Sequence, residues 1–418
     1  MAAGGYRMRM TLLIAGLLAV AGAAQAQTPA ETFARARMVC EADGGALWGV
    51  DLCGPILLVD PATRTLYATR AGASDALKPD GDVFTGVLPT EINIANTALD
   101  WDGVRWAMLM TPLPGDAEDR DALIAHESWH GVQARLGLSA ASPAPAHLAT
   151  EEGRVLMRLE WRALAAALAA DAPEDRQRAV ADALAFRSKR RGADDEERQL
   201  ELNEGLAEYT GVRLGRRDPR ASVIAALTRA DGGTSFARSF AYASGPAYGL
   251  LLDDARPAWR GELNVDSDLG RMLGEALQVE PTGDIAAAEA RYDAATIRTE
   301  ESATAAARRA IESAWRSKLV DGPRLVLPLV SMQMAFNPGG VTPLPGAGTV
   351  YPTLRVVDAW GVLEVSDGAL IDPNYGAVAV AAPSGAEARD GPGWTLTLNP
   401  GWRLEAGERA GDFRLVRP

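Results

Sequence analysis

One pentapeptide, His126-Glu127-Ser128-Trp129-His130, constrains this chain more than any other feature of its sequence. It holds two of the three histidines among 418 residues, so this composition makes a chance match to the motif improbable. On a helix, residues four apart lie on one face, and both imidazoles can therefore bind one metal ion. Neutral imidazole is a good ligand for Zn²⁺, and two of them leave room for a third protein ligand and a water molecule. The carboxylate of Glu127 can accept the proton of that water as it attacks a carbonyl.

The residues around the pentapeptide have the composition of a helical region. The stretch 116–137 begins with acidic residues and ends at a glycine, which is ordinary helix punctuation. Ala, Leu, Glu and Arg then dominate, with apolar residues at helical spacing. The sequence predicts further helices at 151–170, 174–191, 195–214, 244–253 and 285–318.

Short apolar runs separated by Gly-, Pro- and Asp-rich turns flank this helical region on both sides. On the N-terminal side they include 56–59 and 104–110, and on the C-terminal side they are 325–329, 353–357, 361–365, 377–381 and 394–398. The fold class predicted is α+β. We expect a strand-rich N-terminal region at 27–115, a helical metal-binding domain at 116–319 and a small all-β module at 320–418.

The first 26 residues have the features of a secretory signal peptide. Arg7 and Arg9 precede an apolar stretch at 11–24, and Ala24-Gln25-Ala26 is a small-x-small cleavage site. The alternative is a retained membrane anchor. We expect an exported protein, periplasmic or secreted, with no membrane span once the signal is removed. In an oxidising compartment the only two cysteines, Cys40 and Cys53, should form a disulfide rather than stay as buried thiols.

The charge balance restricts the class of partner. The formal net charge is −13, which argues against nucleic acid as the main partner. The short basic run at 187–191 is typical of a solvated helix end and does not change this expectation. The sequence does not determine the oligomeric state.

Two histidines need a third protein ligand. One known solution places glycine three residues after the second histidine and a third histidine three residues further on. Here those positions hold Gln133 and Leu136, so that solution is excluded. The candidates that remain are His147 in the following loop, Glu151 and Glu152 at the start of the next helix, and Glu204.

Glu204 lies in the segment Asn-Glu-Gly-Leu-Ala-Glu-Tyr at 203–209, which resembles the N-E-G-F/L-A segment of gluzincins, the peptidase-MA-like zinc metallopeptidases. In that family the glutamate before the glycine is the third zinc ligand, and the resemblance assigns this role to Glu204. Tyr242-Ala243-Ser244-Gly245 resembles the family's Y-x-x-G, in which the tyrosine hydroxyl stabilises the oxyanion. The resemblance covers about residues 105–253. Glu208, one turn after Glu204, is either a hydrogen-bond partner of a ligand histidine or an exposed helix charge.

These observations predict an exported zinc metallopeptidase that acts on a peptide or protein substrate. His126, His130 and Glu204 would hold Zn²⁺, Glu127 would be the general base, and Tyr242 would stabilise the oxyanion. The strand at 106–110 is expected to lie at the sheet edge and to pair with an extended substrate. The alternative is a non-catalytic binding protein whose zinc site is structural and whose β module contacts a periplasmic or surface partner.

Overall fold

The computed structural model describes residues 28–90, 92–191, 195–336 and 341–417, and the signal peptide expected at 1–26 lies outside them. It is a mixed structure with β-sheet in its N- and C-terminal parts and a helical middle. The chain divides into two compact units between Ala294 and Ala295. The domain boundaries expected at 115/116 and 319/320 stay predictions. None of the described helices combines the length and apolarity that a membrane crossing requires.

The first element among the described residues is a helix. Thr28 caps α1 (Pro29–Asp43) by accepting a hydrogen bond from the backbone of Glu31, whose side chain accepts one from the backbone of Thr28 in return. The predicted disulfide between Cys40 and Cys53 is confirmed, with 5.2 Å between the Cα atoms. It ties the end of α1 to the segment that leads into the sheet.

A six-stranded sheet follows. Its strands are β1 (Ile56–Val59), β2 (Thr65–Ala68), β3 (Lys78–Asp80), β4 (Val83–Val87), β5 (Thr97–Trp101) and β6 (Val104–Met110). The order is β3-β4-β2-β1-β6-β5, with β1 and β6 parallel and the other pairs antiparallel. Side chains alternate between two cores, as the period of a strand requires. Leu58 and Leu109 pack toward Phe33 of α1, while Leu57 and Met108 pack on the opposite face.

The helical middle contains the helices that were expected and two more. They are α2 (Ala117–Val132), α3 (Glu151–Ala169), α4 (Pro173–Arg191), α5 (Glu196–Leu200), α6 (Leu206–Gly215), α7 (Pro219–Asp231), α8 (Phe240–Ala255), α9 (Leu269–Leu277) and α10 (Ile285–Arg291). A π-helical segment, Glu201–Gly205, joins α5 to α6. The helices α7 and α9 were not expected. The helix predicted at 285–318 is divided, because Asp293 adopts a positive φ of 58° after α10.

The second unit comprises most of α11 (Ala294–Arg316), a π-helical turn and two β-sheets. The strands of these sheets are β7 (Arg324–Pro328), β8 (Gln333–Phe336), β9 (Thr342–Leu344), β10 (Gly348–Tyr351), β11 (Leu354–Asp358), β12 (Gly361–Val365), β13 (Ala369–Ile371), β14 (Ala377–Ala381), β15 (Asp390–Gly391), β16 (Trp394–Leu398), β17 (Arg403–Ala406) and β18 (Phe413–Val416). The seven-stranded sheet has the order β17-β18-β7-β14-β13-β10-β9, and the five-stranded sheet has the order β15-β16-β12-β11-β8. Inward residues of both sheets, such as Leu327, Val380, Leu363 and Leu396, share one hydrophobic core.

Candidate metal centre

The pentapeptide lies on α2, as its spacing predicted. Asp116 caps this helix by accepting a hydrogen bond from the backbone of Asp119. His126 and Glu127 are buried, and the rings of His126 and His130 lie 5.1 Å apart. Trp129 is fully buried and packs against Trp48, so it anchors the helix and leaves the histidine face free.

Glu204 belongs to the π-helical segment rather than to a regular helix. Such insertions are rare and often occur at functional sites. Three close contacts between small residues bring the elements together. A Cβ on Gly211 or Gly215 of α6 would clash with the backbone of Ala122 on α2, and one on Gly245 of α8 would lie 2.3 Å from Cα of Gly205. The close approach of these backbones carries Glu204 to the histidines of α2 and the first turn of α8 to Glu204.

Three donor groups converge as a result. Oε2 of Glu204 lies 3.5 Å from Nε2 of His126 and 3.7 Å from Nε2 of His130. The three residues offer ligand atoms that all lie within 4.8 Å of one another. Two imidazole nitrogens and a carboxylate oxygen are the donor types that Zn²⁺ takes in hydrolytic sites. The only other cluster of this kind in the described residues contains Cys40 and Cys53, whose sulfur atoms are joined to each other.

Hydrogen bonds to Nδ1 orient both imidazoles. Nδ1 of His126 lies 3.0 Å from Oε2 of Glu208, so the ring donates to that carboxylate and Nε2 is the atom left to face a metal ion or to carry a second proton. Of the two roles considered for Glu208, the structure therefore supports that of a hydrogen-bond partner of a candidate ligand histidine.

The second histidine is held through an amide chain that the sequence did not suggest. Nε2 of Gln133 donates to the carbonyl of Ser139 and to Oδ1 of Asn203, so its Oε1 must face His130 and accept from Nδ1 at 2.9 Å. Nδ2 of Asn203 in turn donates to Oε1 of Glu204. The chain His130–Gln133–Asn203–Glu204 links two of the candidate ligands to each other and sets the ring tautomer that leaves Nε2 free.

Glu127 is buried beside the histidines, and its Oε2 atom has no hydrogen-bond partner in the part of the chain that is described. Burial raises the pKa of Glu127, although His126 and His130 act in the opposite direction. An unpartnered buried carboxylate oxygen is costly unless something else occupies the space next to it. The position suits a group that exchanges a proton with a water molecule.

The carboxylates of the candidate metal centre favour a positive charge close to them. Burial lowers the pKa of His126, but hydrogen bonds to Glu204 and Glu208 outweigh burial and raise it to about 10. Burial raises the pKa of Glu204, but hydrogen bonds to His126, His130 and Tyr242 bring it well below its ordinary value. The carboxylates thus stay ionised and favour a cation, supplied either by a proton on His126 or by a metal ion. The donor set, its charge and the orphan oxygen of Glu127 all fit zinc.

Tyr242 joins the same group. Its hydroxyl donates to Oε2 of Glu204 at 2.6 Å, and its ring stacks on His126 with 5.7 Å between centroids. Burial and the Glu204 carboxylate raise the pKa of Tyr242, so the hydroxyl keeps its proton and can donate. The oxyanion role predicted for Tyr242 requires this hydroxyl to turn from Glu204 toward a substrate.

The other residues considered from the sequence lie elsewhere. Nε2 of His147 is 2.5 Å from Glu197, and Glu152 lies 3.7 Å from Nζ of Lys189. Glu151 is exposed at the start of α3. The structure therefore groups Glu204, and none of these alternatives, with the two histidines.

A cavity of about 590 Å³ opens onto the three candidate ligands, Glu127 and Tyr242. Residues 95–98, at the start of β5, form part of its wall. Here the structure corrects an expectation. The strand β6, predicted to lie at the sheet edge, is in the interior between β1 and β5, and β5 is the edge strand. The hairpin from β5 to β6 adds one more strand outside β6, which the apolar pattern of β6 alone could not reveal.

Comparison with known proteins adds no further assignment, so the functional argument rests on the residues of this chain. The chain matches no protein-family model, no curated protein and no solved structure.

Proposed function

We propose that this protein is an exported zinc-dependent metallopeptidase of gluzincin type. The observation that carries the proposal is the convergence of His126, His130 and Glu204, with ligand atoms within 4.8 Å of one another, beside a buried Glu127 at the base of a cavity. A purely structural site would need no carboxylate in the position of Glu127. The disulfide is consistent with an oxidising compartment and so supports export.

In this proposal, His126, His130 and Glu204 hold the ion through Nε2, Nε2 and a carboxylate oxygen. Bound zinc would supply Lewis acidity, which polarises a carbonyl and makes water a better nucleophile near neutral pH. Glu208 and Gln133 keep the two rings in the tautomer that ligation requires.

Glu127 acts as the general base. Its carboxylate accepts a proton from the attacking water and then passes that proton to the amine nitrogen as the peptide C–N bond breaks. Because burial raises its pKa, Glu127 holds this proton more readily than an exposed glutamate would. Tyr242 donates a hydrogen bond to the former carbonyl oxygen as negative charge develops there, and its raised pKa keeps the donor in place.

The edge strand β5 gives the substrate a place to bind. A peptide extended along a sheet edge gains main-chain hydrogen bonds, and residues 95–98 line the cavity that contains Glu127. We infer that the substrate backbone adds to β5, outside the hairpin that β5 forms with β6. A peptide bound there is held next to the candidate ligands, whereas β6 is already paired on both sides.

The decisive experiment separates the base from the ligands. We expect Glu127→Gln to bind zinc with nearly the affinity of the natural protein, measured by elemental analysis and chelator competition. Its peptidase activity on a denatured protein substrate should fall by about 10²–10⁴-fold, because the amide cannot accept a proton. Full activity in Glu127→Gln would refute the proposal and favour the binding-protein alternative.

Glu118→Gln provides the matched control. Glu118 lies in the first turn of the same helix and forms an ion pair with the exposed Arg217 at 3.2 Å, away from the cavity. This variant should keep both zinc and activity, so a loss of activity there would show that the assay reports helix stability rather than chemistry.

A further inference from the structure

Two arginines line the cavity above the candidate metal centre, and their surroundings differ. Nη1 of Arg105 lies 2.5 Å from a carboxylate oxygen of Asp100, so its charge is already paired. Nη2 of Arg238 donates to the hydroxyl of Ser142 at 2.7 Å, a neutral partner. Within the described ranges no carboxylate pairs with Arg238.

The acidic groups of the same cavity are occupied in other ways. Glu204 bonds Tyr242 and approaches both histidines, and Glu208 bonds His126. Glu127 lies buried below them. Arg238 is therefore an exposed guanidinium that faces the cavity, with donors to spare, in a chain whose formal net charge is −13. A guanidinium binds carboxylates with two parallel hydrogen bonds, which makes it a selective receptor for that group.

We propose that Arg238 selects the substrate by binding one of its carboxylates, so that peptides with a negative charge close to the cleaved bond are preferred. This inference rests on the proposed peptidase function. Arg238 precedes Tyr242 by four residues, which is at most about 14 Å of backbone. The recognised carboxylate therefore lies within a few residues of the peptide bond on which Tyr242 and Glu127 are proposed to act.

Two kinds of substrate carboxylate fit this chemistry, the side chain of Asp or Glu and the α-carboxylate of a C-terminus. Four peptides of otherwise identical sequence distinguish them. They carry Glu or Gln in the cleaved region, and each is made with a free or an amidated C-terminus. Preference for Glu in the amidated pair indicates side-chain recognition, and preference for the free acid in the Gln pair indicates recognition of the C-terminus.

The first measurement is binding rather than turnover. Zinc-loaded Glu127→Gln should bind the peptides that carry the recognised carboxylate about 10- to 100-fold more tightly than the peptide with neither carboxylate, by fluorescence anisotropy, as expected for hydrogen bonds to a charged group. Adding Arg238→Gln to that protein should abolish this difference in affinity between the peptides. Adding Arg105→Gln should leave the ratio intact, because Arg105 is already paired with Asp100. Equal binding of all four peptides, or a ratio that survives Arg238→Gln, would overturn the inference.

The second measurement is cleavage by the otherwise natural enzyme. Arg238→Gln should lose the preference in kcat/KM, and Arg238→Glu should reverse it in favour of a peptide with Lys at the tested position. Cleavage of all four peptides at equal rates would refute the role of Arg238 and leave the peptidase proposal standing. A binding preference without any cleavage by the zinc-loaded protein would support the role of Arg238 and contradict the peptidase proposal.

Discussion

Two groups of charged side chains lie in the helical middle of the molecule, and their buried carboxylates are compensated by different kinds of partner. The first, here the arginine cluster, comprises Arg187, Arg190, Glu160, Glu197 and Glu201. The second is the candidate metal centre around His126. Both are assembled from residues far apart in the chain, yet the first contains guanidinium cations and the second relies on histidines.

Within the arginine cluster, fixed guanidinium groups pair with the carboxylates. Arg190 has no exposed side chain and lies 2.6 Å from Glu160 and 2.7 Å from Glu197. Arg187 lies 2.8 Å from Glu201. Burial raises the pKa of Glu197, but Arg190 outweighs burial and brings it well below its ordinary value. Such a group stabilises one arrangement of helices.

The candidate metal centre has carboxylates and imidazoles, and among the described residues no lysine or arginine pairs with Glu127, Glu204 or Glu208. Glu204 pairs with histidines, and the Oε2 atom of Glu127 has no hydrogen-bond partner among the residues described. A cavity opens onto both. Fixed cations pair with the carboxylates of the arginine cluster, which fits a structural role, whereas the second group fits the metal-binding role that we propose for it.

The two groups meet on one short element. Glu201 of the arginine cluster and Glu204 of the metal centre both belong to the π-helical segment. Arg187 fixes the first turn of this segment through Glu201, and Asn203 positions the carboxylate of Glu204. The arginine cluster thus supports the segment that carries Glu204 of the candidate metal centre.

The largest effect should come from removing the third candidate ligand. Glu204→Gln replaces a carboxylate with a neutral amide, a poorer ligand, and should reduce zinc affinity by more than the ten- to hundredfold that outer hydrogen-bond partners typically contribute. Competition with a chromogenic chelator measures the zinc affinity of the variant. Glu151→Gln and Glu152→Gln serve as controls and should keep the natural affinity. Retained affinity in Glu204→Gln would contradict the assignment of the ligand.

The next effect concerns the arginine cluster. Arg190→Met leaves Glu160 and Glu197 buried without their main cation and should lower the free energy of unfolding by about 3–5 kcal/mol in urea titrations. Arg178→Met, in an exposed pair with Asp175 on the same helix, should cost no more than about 1 kcal/mol. If the two variants lost equal stability, the distinction between a closed buried group and a surface pair would fail.

The smallest effect tests the amide chain. Gln133→Leu removes the acceptor for Nδ1 of His130 and should weaken zinc binding about 10- to 100-fold. Gln133→Glu keeps an acceptor at that position and should recover part of the affinity, which a merely structural role would not explain. An unchanged affinity in Gln133→Leu would show that the tautomer of His130 is set without this contact.

The local parts of this structure were predictable because their signals are local. The spacing of the pentapeptide predicted α2, and the short apolar runs predicted β1, β6 and five C-terminal strands, β7, β11, β12, β14 and β16. The N-terminal helix α1 was missed although its capping pair, Thr28 and Glu31, is visible in the sequence. The edge position predicted for β6 was wrong, because strand order depends on which segments pair and not on the pattern of any one of them.

The sequence by itself determined that two histidines and a glutamate share one helical region, since the geometry of a single helix follows from residue spacing. It left the third ligand among Glu204, Glu151, Glu152 and His147, with only a resemblance to favour Glu204. Tertiary structure brought Glu204 to the histidines, through close backbone contacts at Gly205, Gly211 and Gly245. It also decided that Gln133 and Arg238 belong to the site, because contacts between residues distant in the chain arise only when the helices pack.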